Sequence, residues 1–233
     1  MLRRASDARV AAQARSYFKQ HETIRVHGVA APLVRAIENE LFARVRGGWT
    51  AGDALRFCEI LVEEGSQESK TIGFHLLRRY QGEFERGLID AVESWLSGGF
   101  CDNWAAVDDL CPCVITPLVR RFPGLIPRVR RWSHSPNLWL RRASAVTFVP
   151  MARKGERLNA AYGVAASLLG DREDLIHKAA GWLLREAGRT DSIRLETFLL
   201  THGPKVPRTT LRYAIERMPE KKRRKIMAAT RAG

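Results

Sequence analysis

For its size the chain has little acid and little sulfur. It sets 25 Asp+Glu against 39 Lys+Arg, a formal net charge of +14, and carries four cysteines in 233 residues. So few cysteines do not make a disulfide framework. Cys111-Pro112-Cys113 lacks the second C-x2-C or downstream H-x3-H of a structural zinc site. Cys58, Cys101, Cys111 and Cys113 therefore read as reduced thiols, and neither metal nor other cofactor is expected. No apolar run reaches the roughly 18 residues of a membrane span. The N-terminal MLRRASDARVAAQARSYFKQ has early arginines but no apolar core of a secretory signal. The absence of G-x-S-x-G, H-E-x-x-H, a Gly-rich phosphate loop and a helix-hairpin-helix signature sets aside serine hydrolases, zinc peptidases and phosphate-loop enzymes. Runs of alternating β-branched residues are missing too, so strands are not expected.

What the chain has is basic charge, spread along its length: Arg35, Arg78-Arg79, Arg120-Arg121, Arg128 to Arg131, Arg141-Arg142 and Lys221 to Lys225. A basic excess in every segment predicts an extended positive surface, whose natural counterpart is a polyphosphate backbone. With no secretory signal and no membrane span in the sequence, the protein is expected in the cytoplasm, associated with the chromosome, with no membrane partner.

Helical periodicity runs almost throughout. APLVRAIENELFARV carries Pro32 at its start, where a helix tolerates it, and AGDALRFCEILVEEG has Asp53 near its start and Gly65 just past its end. The joins SGGFCDN, SHSP, GDRE and GPKVP are short, which predicts antiparallel neighbours. A faint repeat places Lys70, Arg142, Lys178 and Arg212 at one phase, with steps of 72, 36 and 34 residues. A period in the mid-thirties with two helices per unit predicts an all-α, HEAT/armadillo-like α-solenoid of antiparallel helix pairs with a concave basic face. The small residues Ala143, Ala179 and Ala180 would let its helices approach. We read one domain over residues 1–233, ending in a basic tail at about 219–233.

Three segments pair tryptophan with charge. Trp104 and Asp108 are i and i+4 on one helix face; Trp139 precedes Arg142 by three; Lys178, Trp182, Arg185 and Glu186 lie within two turns. Singly, a Trp at helical spacing is most often core. Recurrence on a basic solenoid points to a site that handles positive charge.

These segments carry a resemblance. GVAAPLVR (28–35), WAAVDDLCP (104–112), NLWLRRASAV (137–146) and LIHKAAGWLLREAGRTD (175–191), in that order and spacing, resemble the DNA alkylation repair family of HEAT-like-repeat DNA glycosylases, the AlkD type, over about residues 28–218. The resemblance implies hydrolysis of the N-glycosidic bond of N3- or N7-alkylated purines in double-stranded DNA, without a tight base-flipping pocket. It implies Asp108 as the catalytic carboxylate, Trp104 and Trp182 as lesion-facing rings, Tyr17 as a further lesion contact, and Arg142 as the DNA-gripping arginine. Lys178, Arg185, Arg141, Lys70 and Arg212 join Arg142 as candidate DNA-binding residues, and the protein is expected to act as a monomer. Two features depart from the family pattern: Asn103 stands where an aromatic often precedes the first Trp, and Ala105-Ala106 where relatives carry a polar residue. The alternatives are a non-catalytic nucleic-acid-binding paralogue and a protein-binding HEAT scaffold. The first would bind duplex DNA without releasing bases; the second would have an apolar or acidic binding face.

Overall fold

A computed structural model describes residues 1–18 and 24–231. Among these residues there is no strand, and the chain is all-α. No described helix is long and apolar enough to cross a membrane. Contacts group the chain into two compact units, Met1–Phe122 and Pro123–Gly233.

The first unit contains α1 (Ala8–Ser16), α2 (Ala31–Val45), α3 (Ala51–Glu64), α4 (Gln67–Arg79), α5 (Leu88–Ser97), α6 (Trp104–Leu110) and α7 (Thr116–Arg121). Local chemistry sets most of the boundaries. Pro32 sits in the first turn of α2. A reciprocal capping box between Thr50 and Asp53 opens α3, and Gly65 closes it in the left-handed conformation at φ 88°. Ser66 then caps α4 by accepting from the Ser69 amide, so α3 and α4 fold back on each other across a two-residue join. Helix α4 also packs on α2 and α6, the pattern of a solenoid in which a helix meets both its hairpin partner and the equivalent helices alongside. Phe74, Leu76 and Leu77 of α4 are fully buried.

Helix α1 was not expected from the sequence. Its docking comes from residues distant in the chain. The buried Glu68 carboxylate accepts from the backbone N–H groups of His27 (3.0 Å), Gly28 (2.8 Å) and Val29 (3.1 Å). The Asp7 amide donates to the Gly28 carbonyl at 2.9 Å. Gly28 has φ 79°, and a Cβ there would lie 2.3 Å from the Asp7 carbonyl oxygen. Only glycine meets both demands, which explains the first residue of GVAAPLVR.

Between α6 and α7 the helix widens into one π turn, Cys111–Ile115. Pro112 and Pro117 have no N–H to continue the α pattern, and a wider turn absorbs the missing bonds.

The second unit contains α8 (Ile126–Arg131), α9 (Leu138–Val146), α10 (Val149–Ala152), α11 (Leu158–Ser167), α12 (Asp174–Ala187), α13 (Ser192–His202), α14 (Arg208–Ile215) and α15 (Glu220–Ala229). The helical pattern of NLWLRRASAVTFV is divided between two helices, α9 and α10, broken around Thr147-Phe148 just before Pro150. The basic tail is largely helical, as α15. Helix α12 is the hub, packing on α9, α10, α11, α13 and α14. Ala143, Ala179 and Ala180 are fully buried, as close helix approach requires.

The tightest approach is at Gly181, where a Cβ would meet the Tyr213 Cβ at 2.5 Å and the Thr210 carbonyl oxygen at 2.7 Å. The Thr210 hydroxyl locks the same crossing by donating to the His177 carbonyl at 3.0 Å. Gly181→Ala tests this crossing. Helix propensity favours alanine by up to about 1 kcal/mol, but forcing a methyl against the α14 backbone costs about 1–3 kcal/mol. Thermal unfolding should show a lower Tm; an unchanged or raised Tm would mean that α12 and α14 are not held this close.

Candidate functional site

Trp104 is the first residue of α6, and Asp108 follows one turn later on the same face; both are half-buried. Asn103, the departure from the family pattern, caps this helix: its side-chain oxygen accepts from the Ala106 amide at 2.9 Å, and the residue is buried. An aromatic ring could not do this, so the substitution secures the helix that carries the Trp–Asp pair. Asn137 does the same for α9, accepting from the amides of Trp139 (2.8 Å) and Leu140 (3.1 Å).

An aromatic partner of Trp104 was missed in the sequence. Phe18, just past α1, stacks on the indole with ring centroids 5.1 Å apart and planes 21° apart. Its neighbour Tyr17, the residue singled out by resemblance, is 68% exposed. The docking of α1 brings this ring to Trp104, and nothing local to Phe18 announces it.

Asp109, next to Asp108 but about 100° further round the helix, meets α4. His75 Nε2 lies 2.9 Å from Asp109 Oδ1, and Cys113 Sγ donates to the same oxygen at 3.7 Å. The hydrogen bond to Asp109, then that to Cys113, raises the His75 imidazole to a pKa of about 10 against the opposing effect of burial. All four cysteines are unbridged and buried. Lys70 was read as a DNA contact from its phase in the repeat, yet it is only 3% exposed and its ammonium pairs with Asp102 at 3.5 Å. It ties α4 to the segment before α6 and offers no surface charge.

In the second unit, Arg142 on α9 is 5% exposed, and its Nη1 donates to the Leu175 carbonyl of α12 at 2.7 Å. Arg141 pairs with Asp171 at 2.6 Å and donates to the carbonyls of Ser135 and Pro136, which closes the loop before α9. Lys178 pairs with Asp174 at 2.8 Å on the same helix. The hydrogen bond that the Lys178 ammonium donates to that carboxylate raises its pKa, burial opposes the rise, and electrostatic interactions with Asp174 and Tyr213 add to it while Arg142 works against it. Arg142, Lys178 and Tyr213 are thus electrostatic neighbours, and Tyr213, exposed on α14, joins the candidates. Trp182 is half-buried on α12, and Arg212 is exposed on α14.

Glu186, one turn beyond Trp182, is fully buried among four arginines. Arg153 Nε lies at 2.9 Å, Arg189 at 3.3 Å, Arg185 at 3.4 Å and Arg217 at 3.7 Å. Burial alone would raise its pKa, but the Arg153 hydrogen bond and the charges of Arg153, Arg217 and Arg185 outweigh that and hold it below the ordinary value. The carboxyl stays ionised and cannot serve as a proton donor. Arg185 also pairs with Glu216, so this candidate DNA contact is bound up in an internal network.

The first unit thus offers a carboxylate and a stacked indole on one helix, and the second a group of cations with a Trp and a Tyr nearby. A search of curated proteins gives no match. Among solved structures, a protein described as a predicted DNA alkylation repair enzyme from Enterococcus faecalis superposes with a TM-score of 0.79. It is 17% identical, and the match covers 92% of this chain and 97% of that one. At that identity the likeness is one of fold. The family model described as DNA alkylation repair enzyme matches residues 1–218, and on that match the chain belongs to the DNA alkylation repair enzyme family.

Proposed function

We propose that this protein is a DNA glycosylase that releases cationic N3- and N7-alkylated purines from double-stranded DNA. The observation that carries the reading is the Trp104–Asp108 pair, half-buried on a helix whose first turn is secured by a buried cap. A purine alkylated at N7 or N3 is already a cation, and it departs neutral, so its glycosidic bond breaks without strong general-acid help. What the reaction needs is stabilisation of an oxocarbenium-like sugar and a water molecule aimed at it. One carboxylate supplies both, by its charge and by accepting a proton from that water. That is the role given to Asp108. Glu186, one turn from Trp182, is held ionised by four arginines and is no proton donor. Trp104 and Trp182 present π faces to positive charge, each contributing roughly 0.5–2 kcal/mol. Lys178 and Arg212 hold phosphates without reading sequence, and the buried Arg142, bonded to the Leu175 carbonyl, braces the helix that carries Lys178.

The decisive experiment incubates purified protein with methylated duplex DNA and scores free 7-methylguanine and 3-methyladenine. Both should appear. Asp108→Asn should reduce release by at least about 100-fold, the size of a lost electrostatic stabiliser, with DNA binding retained. Uracil, hypoxanthine and ethenoadenine should stay in place, because their departure needs a proton the site does not supply. Duplex binding without base release by the wild type would instead identify a non-catalytic binding protein.

The stack on Trp104 leads to a second expectation. Phe18→Ala removes a ring that holds the indole, so base release should fall while overall stability changes little, the ring being only half-buried. Single-turnover rates alongside thermal melts test this; equal rates for variant and wild type would leave Phe18 no part in the chemistry.

Binding should be dominated by phosphate contacts. Affinity for undamaged duplex should drop by about tenfold or more between roughly 50 and 200 mM salt, with little dependence on sequence. A flat salt dependence in fluorescence anisotropy would contradict the electrostatic picture.

A further inference from the structure

We propose that His75, Asp109 and Cys113 form a binding site for a zinc-type divalent cation, with one imidazole nitrogen, one carboxylate, one thiolate and a fourth position left to water. The three donor atoms come from two packed elements, α4 and the α6–π-turn segment, and all lie within 4.8 Å of one another. Tetrahedral zinc with bonds of about 2.0–2.3 Å places its donors roughly 3.3–3.8 Å apart. The observed separation of 3.7 Å from Cys113 Sγ to Asp109 Oδ1 falls within that range, and the 2.9 Å from His75 Nε2 to the same oxygen falls a few tenths of an ångström short of it. Loading therefore asks for small side-chain movements, and the half-exposed His75 ring is free to make the largest.

A second observation points to a cation. Asp109 Oδ1 serves both His75 and Cys113, while Oδ2 is buried and has no hydrogen-bond partner. A buried carboxylate oxygen without a partner is costly, and a metal ion sharing both carboxylate oxygens would satisfy it. His75 also lines a cavity of about 250 Å³, together with Val29, Val34, Ile72, Gln67 and Thr71. The donor set selects the ion. Thiolate with imidazole favours zinc and its chemical neighbours, whereas calcium and magnesium require oxygen ligands throughout. On binding, the Cys113 S–H proton and the Nε2 proton of the His75 imidazolium both pass to solvent, and the sulfur and the freed ring nitrogen each donate an electron pair to the metal. The occupied site would pin α6 to α4 one residue from Asp108. The site itself stands independently of the glycosylase reading.

The test uses the full chain, stripped of metal with a chelator and titrated with Co²⁺. We expect the visible bands of tetrahedral Co²⁺ and a near-ultraviolet thiolate-to-cobalt charge-transfer band, saturating at one ion per chain and bleached by added Zn²⁺. Cys113→Ser should abolish the charge-transfer band, whereas Cys111→Ser should leave it intact. Asp109→Asn, which keeps the side chain's shape, should weaken Co²⁺ binding at least about tenfold, with the helical circular dichroism preserved. No charge-transfer band in the wild type would overturn the site. So would a band that survives in Cys113→Ser, since the ion would then sit on another thiol. None of these readouts depends on base release, so failure here and failure of the glycosylase assignment remain distinguishable.

Discussion

Close approach between helices that are not neighbours in sequence is the constraint on which the second unit depends. Helix α12 must pack on α9 and α14 as well as on its sequence neighbours, and this requires residues with almost no side chain at the crossings. Ala179 and Ala180 are fully buried, and the missing side chain of Gly181 admits the α14 backbone. Trp182, Lys178 and Arg185 ride on the same helix. The small residues that bring the helices together therefore also set where the aromatic ring and the cations stand.

The first unit solves a different problem: holding a short helix. Helix α6 has seven residues, too few to be stable alone. It is secured at its start by the Asn103 cap and along one side by Asp109 reaching His75 of α4. At its end the π turn redirects the chain past Pro112. Trp104 and Asp108 gain a fixed position from bonds made by the residues beside them. Phe18, carried in by α1, adds a ring to the indole.

The large positive charge is less available than its total implies. Arg79 is bound to Glu38, Arg141 to Asp171, Lys70 to Asp102, and four arginines gather around Glu186. Buried carboxylates here organise arginines, as Glu186 does, or backbone amides, as Glu68 does, because a lone buried charge would be far more costly. The cations offered to a polyanion are those left over on exposed positions such as Arg212.

By itself the sequence determined what local chemistry decides. The helical class follows from periodicity, the bounds of α2 and α3 from Pro32 and Gly65, the shared face of Trp104 and Asp108 from the helical pitch, and the family from the order of its motifs. Tertiary structure alone decided the rest. Lys70 and Arg142 look alike in sequence as beats of a basic repeat, yet both are buried, because exposure depends on what packs over a residue and not on its spacing. Helix α1 was illegible, since it docks against Gly28, whose segment is in turn held by the Glu68 carboxylate some forty positions further on, through three backbone amides. The same holds for Phe18 on Trp104 and for His75, Asp109 and Cys113. The first pair is about 86 residues apart and the cluster spans about 38, and such meetings are set only when non-local packing closes the loops between them.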